Sequence, residues 1–413
     1  MWAADSVGIV KAQSTRAAAG RPPVVIVPGS LHSRLLVRTQ RKYGPCDGTD
    51  GSTVLAYINW TQWQSPHGQR CWIDAFALSL DAEGRFVSKV DGVNVSVLHG
   101  PGTPNFGSLD ALPTCDPWTC PSPSAYQSFV SMLISKGGYA AGRDLLFAPY
   151  DWRSAPGLEL DPFCIALATL IERTASLYGA VVLAGHSAGP ALIGYCLRRQ
   201  PAAWRRANVH GMLSLNGLVA GEIDCLETLW HGGDFNNAAG NVSGWDTRAY
   251  RRTQWTWGVT SWCLPQQSLY GSRALLQVGH VNYSAEDLTD AFPIFAPNAQ
   301  AVSMKRVWSQ VHNVTSANAA PGTRVWCLYG TGVPTPVHYA FPEGFNRSRP
   351  ARPVVTMGDG DGQQPTESNG ACVRWRGAGE QVDVQTFGGA DHDSILSDDR
   401  VHQFVLEHVL KVS

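Results

Sequence analysis

Short apolar runs alternate with longer stretches of helical spacing along most of this chain. Val24–Val27 is an unbroken apolar run closed by Pro28-Gly29, which predicts a buried strand ending in a tight turn. Tyr126–Leu133 and Phe163–Tyr178 carry apolar residues at helical spacing, and Leu145–Phe147 between them is strand-like. Val181–Ala184 predicts a strand, and Pro190–Arg199 a helix that stops before Pro201. Met212–Leu215, Val325–Tyr329, Val354–Met357 and Val382–Phe387 are further strand runs, and His402–Val412 predicts a terminal amphipathic helix. Strands alternating with helices predict an α/β fold, a mainly parallel sheet covered on both faces. Two regions break the rhythm. Residues 40–125 are rich in Gly, Pro, Ser and Trp with little periodicity, as in an irregular insertion, and residues 221–320 read as a cap. Residues 1–22 read as an unpacked, disordered leader, so the packed domain is expected over 23–413.

Composition narrows the function classes. Of 413 residues, 44% are hydrophobic and 16% charged, against about 25% charged in typical chains, so a large core can form. A net charge of −1 gives no bulk attraction to nucleic acid or anionic membrane. No apolar run approaches the ~20 residues of a membrane span. Ten cysteines without a CxxC pair, and six glycosylation sequons at Asn59, Asn94, Asn241, Asn282, Asn313 and Asn346, predict an oxidising secretory route, secreted or lysosomal. The first residues, with no apolar stretch of the signal-peptide kind, point the other way.

The candidate chemistry centres on Gly185-His186-Ser187-Ala188-Gly189. This G-x-S-x-G run follows one strand signal directly and precedes a helix signal, the context of a nucleophile elbow. Ser187 is therefore the candidate nucleophile. A serine hydroxyl needs a base, and in this arrangement the order along the chain is Ser, acid, His. His392 lies in the loop after Val382–Phe387, whereas His402 and His408 fall on the terminal helix. The acid should follow the strand at Val354, where Gly358-Asp359-Gly360-Asp361-Gly362 offers two aspartates that spacing alone does not separate. A calcium loop is excluded there, because Gln364 and Gly370 stand where such a loop needs Gly and Glu. Backbone N–H groups of Ser30 and Ala188 are the expected oxyanion donors. No P-loop, HExxH or complete GxGxxG occurs, so neither a metal nor another cofactor is expected.

Several stretches resemble the lecithin–cholesterol acyltransferase family, most of all its lysosomal phospholipase A/acyltransferase branch. They are VVIVPGS at 24–30, CWID at 71–74, APYDWR at 148–153, GHSAG followed by LRRQPAAW at 197–204, CLYGTGVPTP at 327–336, GDGDG at 358–362 and GADH at 389–392. The resemblance implies an α/β-hydrolase with a disulfide-stapled lid, and it assigns Ser187, Asp361 and His392 as the triad. It implies disulfides Cys46–Cys71 and Cys327–Cys372. Proximity adds Cys115–Cys120 and Cys225–Cys263, which leaves Cys164 with Cys196. It makes Asp151 and Arg153 a structural ion pair and places Trp72 along the acyl site. Three departures stand out. Gln363-Gln364 follows the acid where Thr-Val is common, and Ser30 replaces an acid or a cysteine. The segment before Cys71 keeps Trp60 and Trp63 but has lost the family's aliphatic membrane-binding run. The implied function is cleavage of a fatty acyl chain from a glycerophospholipid through an acyl-enzyme. The acceptor is water or a lipid alcohol such as a sterol, and a monomer meets its substrate at a membrane or lipoprotein surface. A neutral-lipid or small-ester esterase, or a non-catalytic lipid-binding protein on the same fold, are the alternatives.

Overall fold

A computed structural model of the chain describes residues 20–39, 53–55, 66–81, 85–113, 124–157, 160–231, 247–312, 314–348 and 351–412. At its centre are β1 (Val24–Val27), β2 (Leu145–Phe147), β3 (Val181–His186), β4 (Val209–Leu215), β5 (Val325–Thr331) and β6 (Val382–Gly388). They form one sheet in the spatial order β6-β5-β4-β3-β1-β2, with every neighbouring pair parallel. Val24 and Ile26 point into the core on one face, and Val25 and Val27 into the core on the other. Burial on both faces is why this strand is apolar throughout rather than alternating.

Helices α1 (Ala125–Ser135), α2 (Asp161–Tyr178) and α3 (Ala188–Arg198) cover the sheet. Leu167, Leu170, Leu192 and Ile193 from α2 and α3 pack with Leu183 and Met212 on one face. Phe129 and Leu133 from α1 pack with Leu213, Leu328 and the terminal segment's Val401 and Val405 on the other. That segment forms a short helix, Asp399–Phe404, followed by a π-helical turn, Val405–Val409.

A second sheet lies outside the parallel one. Val281–Ser284, Ala274–Val278, Val333–Phe341 and Val354–Gly360 pair in that order. The strand signal at Val354 therefore belongs to this sheet, not to the central one, and it continues past Met357 to Gly360. Within residues 40–125, expected to be irregular, the described part contains a helix, Pro66–Phe76, and short antiparallel strands including Leu78–Leu80 and Phe86–Ser88. Three-residue strands are too short to show alternation in sequence.

Among the described residues both cysteines are seen for the disulfides Cys164–Cys196, Cys225–Cys263 and Cys327–Cys372. The first joins α2 to α3, and the last joins β5 to the segment after the acid loop. Cys71 is disulfide-bonded. Its expected partner Cys46, and both Cys115 and Cys120, lie outside the described residues.

Candidate active site

The elbow is built by close packing. β3 ends at His186 and α3 begins at Ala188, which leaves Ser187 between them at φ 56°, ψ −118°. Such a backbone is strained for a residue with a Cβ and persists only where its surroundings enforce it. Ser187 N–H donates to Leu215 O (3.1 Å), and Ser187 O accepts from Leu218 N–H (2.7 Å), so both sides are held. A Cβ at Gly185 would lie 2.6 Å from Pro190 N, and one at Gly189 would lie 2.3 Å from Val27 O. Both glycines of the motif are therefore required by contact. The side chain of Ser187 stands against Gly29 of the loop after β1, where a Cβ would come 2.7 Å from Ser187 Cβ.

The loop after β6 carries His392, whose Nδ1 lies 2.9 Å from Asp361 Oδ2, with both side chains buried. Asp361 Oδ1 accepts from Gln363 N–H (3.0 Å) and Gln364 N–H (2.7 Å), and Oδ2 also accepts from Asn369 Nδ2 (2.9 Å). Four donors thus hold this carboxylate. Because His392 Nδ1 donates to Asp361, its Nε2 is the nitrogen left to accept a proton. Burial pulls the His392 pKa down, but the charge and hydrogen bond of Asp361, with Asp393 and Glu222 adding, raise it above the usual imidazole value. Asp359, two residues earlier, is exposed and accepts from Gly332 N–H and Thr366 Oγ1. The structure thus separates the two aspartates that spacing left open.

Ser30 lies on the loop between β1 and Leu35, and its carbonyl accepts from His32 Nδ1 (2.7 Å). The next residue, Leu31, has φ 65°. Ala188 is buried as the first residue of α3. Asp151 and Arg153 form the expected ion pair, with Arg153 Nη2 2.6 Å from Asp151 Oδ2. Trp72 is the tryptophan expected along the acyl site. It lies on the Pro66–Phe76 helix, 3% exposed, stacked on Phe76 and flanked by Tyr250 and Trp257. Its flat ring packs among these aromatic side chains. Trp60 and Trp63 lie outside the described residues.

Sequence reasoning missed four polar residues around this centre. Asn216 follows β4 at φ 43° and is fully buried. Its Nδ2 donates to Asp391 O and His392 O, its Oδ1 accepts from Gly330 N–H, and its carbonyl accepts from Gln364 Nε2. One side chain and its peptide therefore tie the base loop, β5 and the acid loop together. A polar residue just past the carboxyl end of a central parallel strand was the available signal. Asn369 clamps the acid from a short helix, Thr366–Asn369, that has no periodicity to announce it. Tyr126 and His186 bridge the loop after β1 and the base loop; His186 was in plain view inside the motif.

Glu222 is a fifth polar group at this centre, buried, with its Oε2 unpartnered among the described residues. Burial pushes its pKa up to about 7, with the His392 charge pulling down and Asp361 pushing up. Glu222, Cys225 and Cys263 bring three possible metal ligands together, but the two sulfurs are bonded to each other and are not thiolates.

The parallel sheet, the strand–Ser187–helix elbow and the buried Asp361–His392 pair at its carboxyl edge define an α/β-hydrolase. Comparison places the chain more closely. It belongs to the lecithin:cholesterol acyltransferase family, whose profile matches residues 56–272 and 266–402. It is 31% identical to the human lysosomal phospholipase A and acyltransferase over 92% of this chain and 88% of that protein. The dog protein of the same name is also 31% identical, over 91% and 88%. The human phosphatidylcholine-sterol acyltransferase is 27% identical over 94% and 83%.

Proposed function

We propose that this protein is a serine phospholipase A and O-acyltransferase that removes a fatty acyl chain from a glycerophospholipid and passes it to water or a lipid alcohol. Ser187 attacks the ester carbonyl while His392 Nε2 takes its proton. Asp361 holds the imidazole and stabilises the imidazolium that forms. The N–H groups of Ser30 and Ala188 bind the oxyanion, and the alcohol of the lysolipid leaves with the proton from His392. The acyl group is then on Ser187, and a water or lipid hydroxyl repeats the sequence in reverse.

The observation that carries this reading is the buried Asp361–His392 pair set over a strained serine elbow. The names of the relatives supply the substrate class. Disulfides and the exposure of Asn94, Asn282 and Asn346 at three sequons support passage through the secretory route. Among the described residues no helix is long and apolar enough to cross a membrane. Access to a lipid surface is assigned to Trp60 and Trp63, whose indoles suit the headgroup zone.

The test is incubation with a mixed-chain phosphatidylcholine and a sterol, read by lipid mass spectrometry. The reading predicts one lysolipid with matching free fatty acid and sterol ester. Hydrolysis of short soluble esters with intact phosphatidylcholine would overturn the phospholipid assignment and favour a small-ester esterase.

A further inference from the structure

We propose that Tyr126 and His186 are positioning residues of the catalytic site, forming a one-directional hydrogen-bond chain that couples the oxyanion loop to the peptide of the base. The proposal rests on the reading of His392 as base and goes beyond it.

The geometry has three links. Gly29 N–H donates to Tyr126 Oη (2.8 Å), Tyr126 Oη lies 2.9 Å from His186 Nδ1, and His186 Nε2 lies 2.8 Å from the carbonyl oxygen of His392. All three are buried, and Tyr126 and His186 are each 1% exposed. A carbonyl oxygen only accepts, so His186 Nε2 carries the proton. In the neutral ring Nδ1 then accepts, and among the described residues the Tyr126 hydroxyl is placed to donate to it. The hydroxyl oxygen in turn accepts from Gly29. Every donor and acceptor in the chain has one role, and the direction is fixed from Gly29 to His392.

Neutrality of His186 is secured by its surroundings. Burial first, then the nearby His392 and His32 rings, lower its pKa well below the usual imidazole value. Those rings stand 5.0 and 6.0 Å from it. From the other side the His392 carbonyl also accepts from Asn216 Nδ2 (3.0 Å). Two donors from two strand ends therefore hold the backbone of the base, while Asp361 holds its ring. Gly29 is the residue before Ser30 and touches the Ser187 side chain. The chain thus joins the oxyanion loop, α1, the elbow and the base loop by side chains that touch no substrate.

Positioning within a fraction of an ångström matters, because misplacement by about 1 Å can cost ~10²-fold in rate. Tyr126→Phe removes one oxygen and leaves the ring packing. On a short soluble ester it should lower kcat by about 10- to 100-fold with KM nearly unchanged. Active-site titration with a fluorophosphonate normalises for folded enzyme. His186→Leu should be as poor, and the double variant no poorer than the worse single one, since either break opens the same chain. His186→Gln, which offers one donor and one acceptor, should recover much of the loss. Losses that add in full, or a fully active Tyr126→Phe, would overturn the proposal. A loss confined to thermal stability would do the same. A measurement on the unaltered protein stands beside these. Nitrogen NMR of labelled histidine should show His186 neutral and protonated on Nε2 from about pH 5 to about pH 8. The opposite tautomer would leave Nε2 with no proton to donate to the His392 carbonyl, which would break the chain and refute it. Wild-type protein that fails to label with the fluorophosphonate would instead break the reading of Ser187, not the chain.

Discussion

The base and the acid reach the same point by different routes. His392 leaves the end of β6, the edge strand of the central sheet, bound in parallel register to β5 along its length. Asp361 leaves the end of Val354–Gly360, an edge strand of the second sheet, paired on one side only. Along that strand Val354 is 63% and Met357 50% exposed, yet Asp361 is 0% exposed. The base therefore comes from the sheet that carries Ser187, whereas the acid comes from a second sheet and is held at the centre by what meets it at the end of an exposed strand. Those contacts are the Gln363 and Gln364 amides, Asn369 and the disulfide that ties Cys372 back to Cys327 on β5. An acid delivered from a separate sheet depends on the few local contacts that join that sheet's end to the centre.

The largest expected effect comes from removing the acid itself. Asp361→Asn should lower kcat by about 10⁴-fold, because the wrong imidazole tautomer is then held. Asp359→Asn should cost less than about tenfold, since Asp359 only shapes the loop. Rates for the two variants on one soluble ester check this, and the reverse order would move the acid by two residues.

Next comes a contrast between disulfides. Breaking Cys327–Cys372 by paired Cys→Ser changes should cost about 2–4 kcal/mol and also lower kcat of the folded fraction, because the bridge anchors the acid segment. The Cys164–Cys196 bridge ties α2 to the end of α3 far from Ala188, so breaking it should lower thermal stability with little change in kcat. Equal effects on kcat would erase the distinction between the two routes.

Asn369→Ala should be milder. It removes one donor from Asp361 Oδ2 and should lower kcat by about tenfold with little change in KM. Asn369→Asp, which adds a charge beside the acid, should be worse in the same assay.

The smallest effect concerns pH. His392 must be neutral to act, so activity rises as pH passes its raised pKa. Around that ring stand Asp361, Asp393, Glu222 and the neutral His186, and around Glu222 stand Asp361, His392 and Tyr270. An ionised Glu222 favours the imidazolium, so Glu222→Gln should move the acid limb of kcat/KM to lower pH, by up to about one unit. An unmoved limb would show that Glu222 is not coupled to the base.

This contrast also marks what was legible in the sequence. β1, β3 and β5 show as apolar runs because they are buried on both faces, and the elbow shows because it needs Gly185 and Gly189. His392 follows from its place after β6. The sheet that Val354 joins did not show, since apolar residues on an exposed edge strand read like buried ones. Spacing could not choose Asp361 over Asp359; resemblance chose it, and the contacts of each give the physical reason. Asn216 and Tyr126 act through partners 60 to 176 residues away, and Asn369 through an aperiodic turn, and no local pattern encodes such bonds.

The most direct measurement is peptide mass mapping of the enzyme quenched early in turnover with a short-chain ester. The account predicts one acyl group on the peptide containing Ser187, absent from Ser187→Ala, which should also lose hydrolysis and acyl transfer to a lipid alcohol together by at least ~10⁴-fold. Acyl transfer that persists in Ser187→Ala, or an acyl group carried on another residue, would contradict it.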